Sequence, residues 1–259
     1  MKFNPILVAC IALLISLISC EKVIDLKLDT IDQKVVIEGV ILRGDTTHRV
    51  RVTMTQPFDQ SSNPPAISNA TVVVTDNLGN TGTFTYVNDG WYELQNYEGF
   101  ENRTYTLSVT VDQKTYVAQS TMPSFQPMFQ LVTQSIPFGT DSMYMMIPSH
   151  YDVQGVENFY QFHVYINNKR DKSIYIQSDQ LTDGNFMVEA FFVPDLVKYD
   201  TLRCDMFCID KPIYTYFNQL SVNASNGTTP ANPVSNFSGD CLGYFSARTY
   251  DSQTIVVGQ

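Results

Sequence analysis

The stretch YTLSVTVDQKTYVAQST, residues 105–121, decides the fold class. Tyr105, Leu107, Val109 and Val111 alternate with Thr106, Ser108 and Thr110. That period of two is the mark of a strand with one face in a core and the other in water. Asp112-Gln113-Lys114 makes a polar turn, and Thr115–Thr121 returns as a second strand. Working outward, the same pattern recurs towards the amino terminus. Val35–Leu42 reads as a buried strand, and Arg43-Gly44-Asp45 turns it into His48–Gln56, with Val50, Val52 and Met54 on one face. Ala70–Thr75, Thr83–Val87 and Trp91–Leu94 follow. Asn88-Asp89-Gly90 joins the last two, because Asp-Gly accepts the positive φ of a tight hairpin. Seven short strands in roughly 90 residues predict an Ig-like or transthyretin-like β-sandwich over residues 34–122. The Cys…Trp…Cys spacing of antibody domains is absent. Met122-Pro123-Ser124-Phe125-Gln126-Pro127 reads as a joint, since proline removes ladder donors.

Residues 128–259 read as a second β-rich domain. Leu131–Ser135, Met143–Ile147, Phe159–Asn167, Ile174–Gln177 and Phe186–Val193 have strand composition. Ile213, Tyr216, Phe217 and Leu220 fall at i, i+3, i+4 and i+7, which predicts one amphipathic helix over Lys211–Val222. Asn223–Ser235 is a polar loop, and Leu242–Thr249 with Thr254–Val257 is expected to close the chain as a hairpin. The expected class is mainly β: a sandwich, then a β-rich domain with one short helix.

The first twenty residues carry an export signal. Lys2 supplies the positive start, and Ile6–Ile18 is an apolar run too short to span a bilayer, which needs roughly 20 residues. Leu17-Ile18-Ser19-Cys20 matches a lipobox, whose chemistry needs the Cys20 sulfur to take a diacylglycerol. Residues 1–19 are therefore expected to be a signal peptide and 20–33 a lipidated tether. Two or three acyl chains at about 0.8 kcal/mol per buried CH₂ make such an anchor effectively permanent. Glu21 rather than Asp follows Cys20, which favours the outer membrane and leaves the leaflet open.

Sixteen Lys and Arg against 26 Asp and Glu give a formal charge of −10, and loss of Lys2 with the signal makes it −11. That balance, with no basic run, argues against nucleic acid and against anionic lipid head groups as partners. Three cysteines remain in the mature body, and in an oxidising compartment Cys204 or Cys208 is expected to pair with Cys241. His48, His150 and His163 are scattered, and the C-x₃-C spacing is no zinc signature, so neither a metal nor another cofactor is expected. No G-x-S-x-G, H-E-x-x-H or phosphate loop occurs. The expectation is a non-enzymatic protein. Asn232, Asn236, Tyr244 and Phe245 form a candidate binding surface, with amides for hydrogen bonds and rings for stacking.

Several segments in order resemble one family. They are Cys20-Glu21-Lys22-Val23-Ile24-Asp25-Leu26, Val35-Val36-Ile37-Glu38-Gly39 and Ile67-Ser68-Asn69-Ala70-Thr71-Val72. Asp89-Gly90 with Tyr92, Asn158-Phe159-Tyr160, Asn232–Asn236 and Leu242–Ala247 complete the set. The chain resembles the bacterial outer-membrane lipoproteins grouped as a domain of unknown function, DUF4249. The resemblance implies an Ig-like or transthyretin-like module followed by a second β domain, and it supplies no catalytic residues. It also sets the expected role: a binding or accessory component beside a TonB-dependent outer-membrane transporter. A structural or adhesive envelope protein is the alternative, and an envelope hydrolase ranks third.

Overall fold

The computed structural model describes residues 33–56, 63–139, 141–225 and 232–259, so the signal peptide, Cys20 and the tether as far as Asp32 lie outside it. The alternation read from the sequence becomes eight strands in the first half. They are β1 (Val35–Leu42), β2 (Thr47–Met54), β3 (Thr71–Asp76), β4 (Thr81–Thr83), β5 (Thr85–Asn88), β6 (Trp91–Gln95), β7 (Thr104–Val111) and β8 (Lys114–Thr121). In β7 every apolar member of the alternation is buried. The expected strand Thr83–Val87 is two: Phe84, buried between β4 and β5, marks where the chain leaves one sheet for the other. The Tyr105 hydroxyl accepts from the Phe100 N–H at 2.7 Å and donates to the Phe100 carbonyl at 3.1 Å. That closure of a loop by an upstream-reaching tyrosine is the tyrosine corner of Ig-like sandwiches.

The second half holds β9 (Met128–Phe138), β10 (Asp141–Tyr151), β11 (Phe159–Ile166), β12 (Lys169–Arg170), β13 (Tyr175–Ser178), β14 (Phe186–Val188) and β15 (Phe191–Phe192). After β16 (Thr201–Ile209) come the helix α1 (Lys211–Ser225), β17 (Phe237–Ser238) and β18 (Leu242–Val256). No helix among the described residues is long and apolar enough to cross a membrane. Asp210 starts α1: its carboxylate accepts from the Ile213 N–H and also binds Ser120 Oγ and the Thr121 N–H, which ties the helix to β8. The fold is mainly β and sandwich-like, with a single described helix.

Three departures from the sequence reading matter. The expected terminal hairpin is one 15-residue strand, β18. Its first half pairs in parallel with β1, Val36 opposite Leu242 through Leu42 opposite Arg248; its second half pairs antiparallel with β16. An extended path through Asp251-Ser252 is held because both flanks already have ladder partners. The second departure is a consequence. β18 makes the nine-stranded sheet, of order β12-β11-β16-β18-β1-β2-β6-β5 with β13 also paired to β11, continuous through both halves, and residues 33–259 form one compact unit. The joint at Met122–Pro127 therefore does not isolate the first sandwich, whose core is completed by Phe237, Cys241, Phe245 and Ala247. Its other wall is the five-stranded sheet β17-β8-β7-β3-β4.

The third departure concerns the cysteines. Cys204 and Cys208 lie in the second core, between β11, β16 and the four-stranded sheet of β9, β10, β14 and β15, whereas Cys241 lies in the first core. All three are free and buried, so the expected bridge to Cys241 is not formed. Burial also pushes the Cys204 thiol well up and the Cys241 thiol up to about 11, which suppresses the reactive thiolate. We expect protein produced from Glu21 onward, without the signal and Cys20, to titrate three thiols per chain in denaturant without reductant. A count of one would mean that a disulfide forms.

Candidate functional site

A sheet packed on one side normally turns polar side chains to water on the other. The four-stranded sheet does not. Its inner face, with Leu131, Met146, His150 and Met187, packs on the second core. On the outer face the register sets Met143 opposite Ile136, Met145 between Gln134 and Phe192, and Ile147 opposite Val132. Further along, Ser149 sits between Gln130 and Val188, and Tyr151 lies opposite Phe186. The outcome is an apolar strip open to solvent: Phe129 is 59% exposed, Tyr151 62%, Val188 55% and Phe192 50%. Phe129, Tyr151 and Phe186 pack on one another, with ring centroids 5.6, 5.5 and 4.9 Å apart. With strands about 4.8 Å apart and rising about 3.3 Å per residue, the strip covers roughly 400 Å² in plan. Contiguous apolar surface of that size marks interaction sites.

The face is open, but the nearby edge is guarded. Among the described residues β9 pairs with β10 alone, and along its other edge the Met128 N–H donates to Asp251 Oδ2 and the Leu131 N–H to Gln253 Oε1, both at 2.9 Å. Gln253 Nε2 returns a bond to the Met128 carbonyl, and Pro137 has no N–H to offer. Those caps close the Met128–Leu131 end of the edge, beside the exposed Phe129, so a partner there would meet side chains rather than backbone.

At one end of the strip, two loops that present Tyr151 and Phe186 are drawn together by carboxylates. Asp152 accepts from the Gly184 N–H at 2.9 Å and from the Tyr160 hydroxyl at 3.1 Å. Asp179 accepts from the Asn158 N–H, and Asp183 from the Gly155 N–H. The ligand oxygens of Asp152, Asp179 and Asp183 lie within 4.8 Å of one another, a spacing that could hold a cation. Each carboxylate is nevertheless accounted for by the backbone it fastens. Burial and the neighbouring Asp152 push the Asp179 carboxyl up.

The three histidines sit apart, on β2, β10 and β11. His48 is buried in the first half, with Nε2 2.7 Å from the Tyr97 carbonyl and Nδ1 accepting from the Leu42 N–H. His163 packs on Phe207 and is pushed down to about 2 by burial and by Arg248 and Arg170. His150 is fully buried against Tyr160, with no hydrogen-bond partner for either ring nitrogen among the described residues. Burial pushes His150 down to about 4, against a small opposing pull from Asp152. The unfolded chain takes up this proton near pH 6.5 and the folded chain only near pH 4, so stability is complete above pH 6.5 and falls as pH drops through that window. The loss from this one group is about 3 kcal/mol. His150→Leu is expected to make the fall of the denaturation midpoint between pH 6.5 and 4 shallower, leaving the share that His163 and His48 contribute over the same window, and an unchanged slope would contradict the assignment.

The family model described as "Domain of unknown function (DUF4249)" matches residues 21–254. The chain belongs to the DUF4249 family. No curated protein matches its sequence. Solved structures that resemble it do so distantly. A DUF4785 family protein from Legionella pneumophila has 8% identity and a TM-score of 0.26; the match covers 66% of this chain and 52% of that one, about half its length. A cytokine receptor complex has 9% identity and a TM-score of 0.28, covering 86% and 97%. The FN1–FN3 domains of chicken CNTN1 have 10% identity and a TM-score of 0.24, covering 68% and 60%. Likenesses of that size do not transfer a function.

Within this DUF4249 chain, the residues expected to bind a ligand have other work or lie apart from the apolar face. Asn236 is a structural mimic of a strand: Oδ1 accepts from the Phe245 N–H, and Nδ2 donates to the carbonyls of Phe245 and Gln119. Phe245 is fully buried in the first core. Tyr244 stacks on Tyr216 and Phe217 of α1. Asn232 is exposed in the loop beyond the helix. The same loop borders a shallow cleft of about 280 Å³ lined by Lys211, Pro212, Thr215, Val234, Ser235 and Asn236. Cys20, the expected lipidation site, lies outside the described residues. The outer face of the four-stranded sheet was missed, although two sequence signals mark it. Met143-Tyr144-Met145-Met146-Ile147-Pro148 and Phe191-Phe192-Val193 are unbroken apolar runs, the pattern of strands covered on both sides.

Proposed function

We propose that this protein is a non-enzymatic lipoprotein of the outer membrane that binds a partner protein, as an accessory to a TonB-dependent uptake transporter. The observation that carries the reading is the uncovered apolar face of β9, β10, β14 and β15. A monomer with no partner gains nothing from Phe129, Tyr151, Phe186 and Phe192 in water, and such a face is an aggregation hazard when left open. The lipobox at Leu17–Cys20 supports the anchored location. A binding role also agrees with the histidines, whose partners and burial give them structural duties.

The test is a crosslinked pulldown from native membranes with a tag after Gln259, read by mass spectrometry. Enrichment of one TonB-dependent barrel is the expected result. Recovery of abundant envelope proteins alone, together with an attachment defect and unchanged uptake on deletion, would favour a structural or adhesive role instead.

A further inference from the structure

On the side of the nine-stranded sheet that faces away from the second core, β11, β16 and β18 present a second surface, and α1 covers one end of it. Register sets His163 and Tyr165 of β11 beside Asp205 and Arg203 of β16, with Arg170 of β12 opposite Tyr165. Tyr250 lies opposite Phe207 on that face, and strand alternation adds Arg248 to it. Burial deepens towards α1: Arg170 and Tyr250 are exposed, His163 and Arg203 are half-buried, and Arg248 is buried at 6% exposure. We infer that this face holds a small molecule through a carboxylate group, with Arg248 as the buried anchor and Arg203 and Arg170 as the outer contacts.

Arg248 is a buried charge without a counter-charge. Its guanidinium lies 4.1 Å over the Phe207 ring, and Nη1 donates to Gln161 Oε1 at 2.9 Å. Its Nε is buried with no hydrogen-bond partner among the described residues, and so is Ser246 Oγ, two positions along the same face. Among the described residues no ion pair includes Arg248 or Arg170. Asp205 is the acid on these positions; it accepts from Ser252 Oγ and lies 3.3 Å from Arg203 Nε. Three guanidinium groups therefore face one carboxylate, in a chain whose formal charge is −10. A guanidinium taken out of water is costly unless an anion meets it, and its Nε edge takes a planar carboxylate in two parallel bonds. Burial sets the size of the ligand. A macromolecular surface rests on the exposed rim, whereas a slim carboxylate reaches inward to Arg248. One buried positive charge also matches a monoanion better than a phosphate dianion. The exposed ring of Tyr250, 5.7 Å from that of Phe207, offers apolar surface to the rest of the ligand. The four-stranded sheet packs on the opposite side of β11 and β16, so this site and the apolar face share no surface.

The experiment titrates benzoate, with benzamide as its uncharged counterpart, into protein produced from Glu21 onward with isotope-labelled histidine. That chain contains the whole compact unit of residues 33–259. His163 is the reporter, because its ring lies 4.5 Å from that of Phe207, beneath Arg248. Benzoate is expected to shift the His163 ring resonances saturably with a Kd of about 1 mM, leaving His48 and His150 unmoved. Benzamide should bind at least tenfold more weakly. Arg170→Gln and Arg203→Gln should each weaken benzoate several-fold without moving the denaturation midpoint. Arg248→Lys keeps the charge and loses the two-bond edge, and should weaken binding at least tenfold; if it does not fold, the two outer variants decide. No saturable shift at roughly 20 mM benzoate would overturn the inference. So would equal binding of benzamide, tighter binding of inorganic phosphate, a response to polyglutamate alone, or indifference to both outer variants. The result is independent of whether a barrel is captured through the apolar face, so either reading can fail alone.

Discussion

Gly243→Ala is expected to destabilise the folded protein by about 4 kcal/mol or more, the upper end of what a single residue does. Two physical terms add at this position. Gly243 has φ +99°, a conformation that L side chains rarely adopt, and a Cβ built there would lie 2.0 Å from the Ile37 carbonyl oxygen. Both atoms in that clash belong to backbones paired in the β1–β18 ladder, so no side-chain rotation relieves it. Opening the ladder at Ile37 and Gly243 would withdraw Phe245 and Ala247 from the first core and loosen the strand on which β16 pairs. Gly79→Ala is the natural control: φ is +87°, but nothing lies within 4 Å of its Cβ, so only the conformational cost of about 1–2 kcal/mol applies. Urea denaturation of secreted Cys20→Ser protein would show Gly243→Ala lowering the midpoint by about 1.5–2 M, or no folded baseline at all. A midpoint within about 0.3 M of the parent would refute the account of this seam.

Phe129→Ser combined with Phe186→Ser is expected to reduce partner capture at least 30-fold while leaving the denaturation midpoint unchanged or slightly higher. The two rings pack on Tyr151 and on each other, are exposed, and lie outside the second core. Their loss removes little folding free energy. At an interface, aromatic anchors behave as hot spots worth about 2 kcal/mol or more each, and about 2 kcal/mol alone is a factor of roughly 30 in affinity. Removing exposed rings should also raise solubility. The opposite pattern is expected for Phe245→Ser, which sits fully buried in the first core and should unfold the protein before its effect on binding can be read. Unchanged capture by the double variant, measured as the yield of the same crosslinked partner, would take away the role assigned to the face.

The legible and illegible parts of this chain divide along physical lines. β7 and β8 could be read to within one residue at each end because one buried face imposes a period of two. Helix α1 was legible from Ile213, Tyr216, Phe217 and Leu220, which its turns bring to one side, although it runs on to Ser225. β16 was not read as a strand. Leu202, Cys204, Met206 and Cys208 do alternate inward, but two cysteines invite a disulfide reading before a packing one. The binding face was harder still. Phe129, Tyr151 and Phe186 have the composition of core residues, and composition alone does not tell a ring inside a core from one waiting for a partner.

By itself, the sequence determined what local backbone geometry dictates: strand periods, the Asp89-Gly90 hairpin, one amphipathic helix, the mainly β class and family membership. Only the tertiary structure decided which strands meet and which faces stay open. Val36 pairs with Leu242 from the far end of the chain, and that pairing fuses two expected domains through one sheet. Pairing between residues so far apart carries no local periodicity, because it is chosen by the packing of both cores at once. The same packing left Phe129, Tyr151 and Phe186 uncovered.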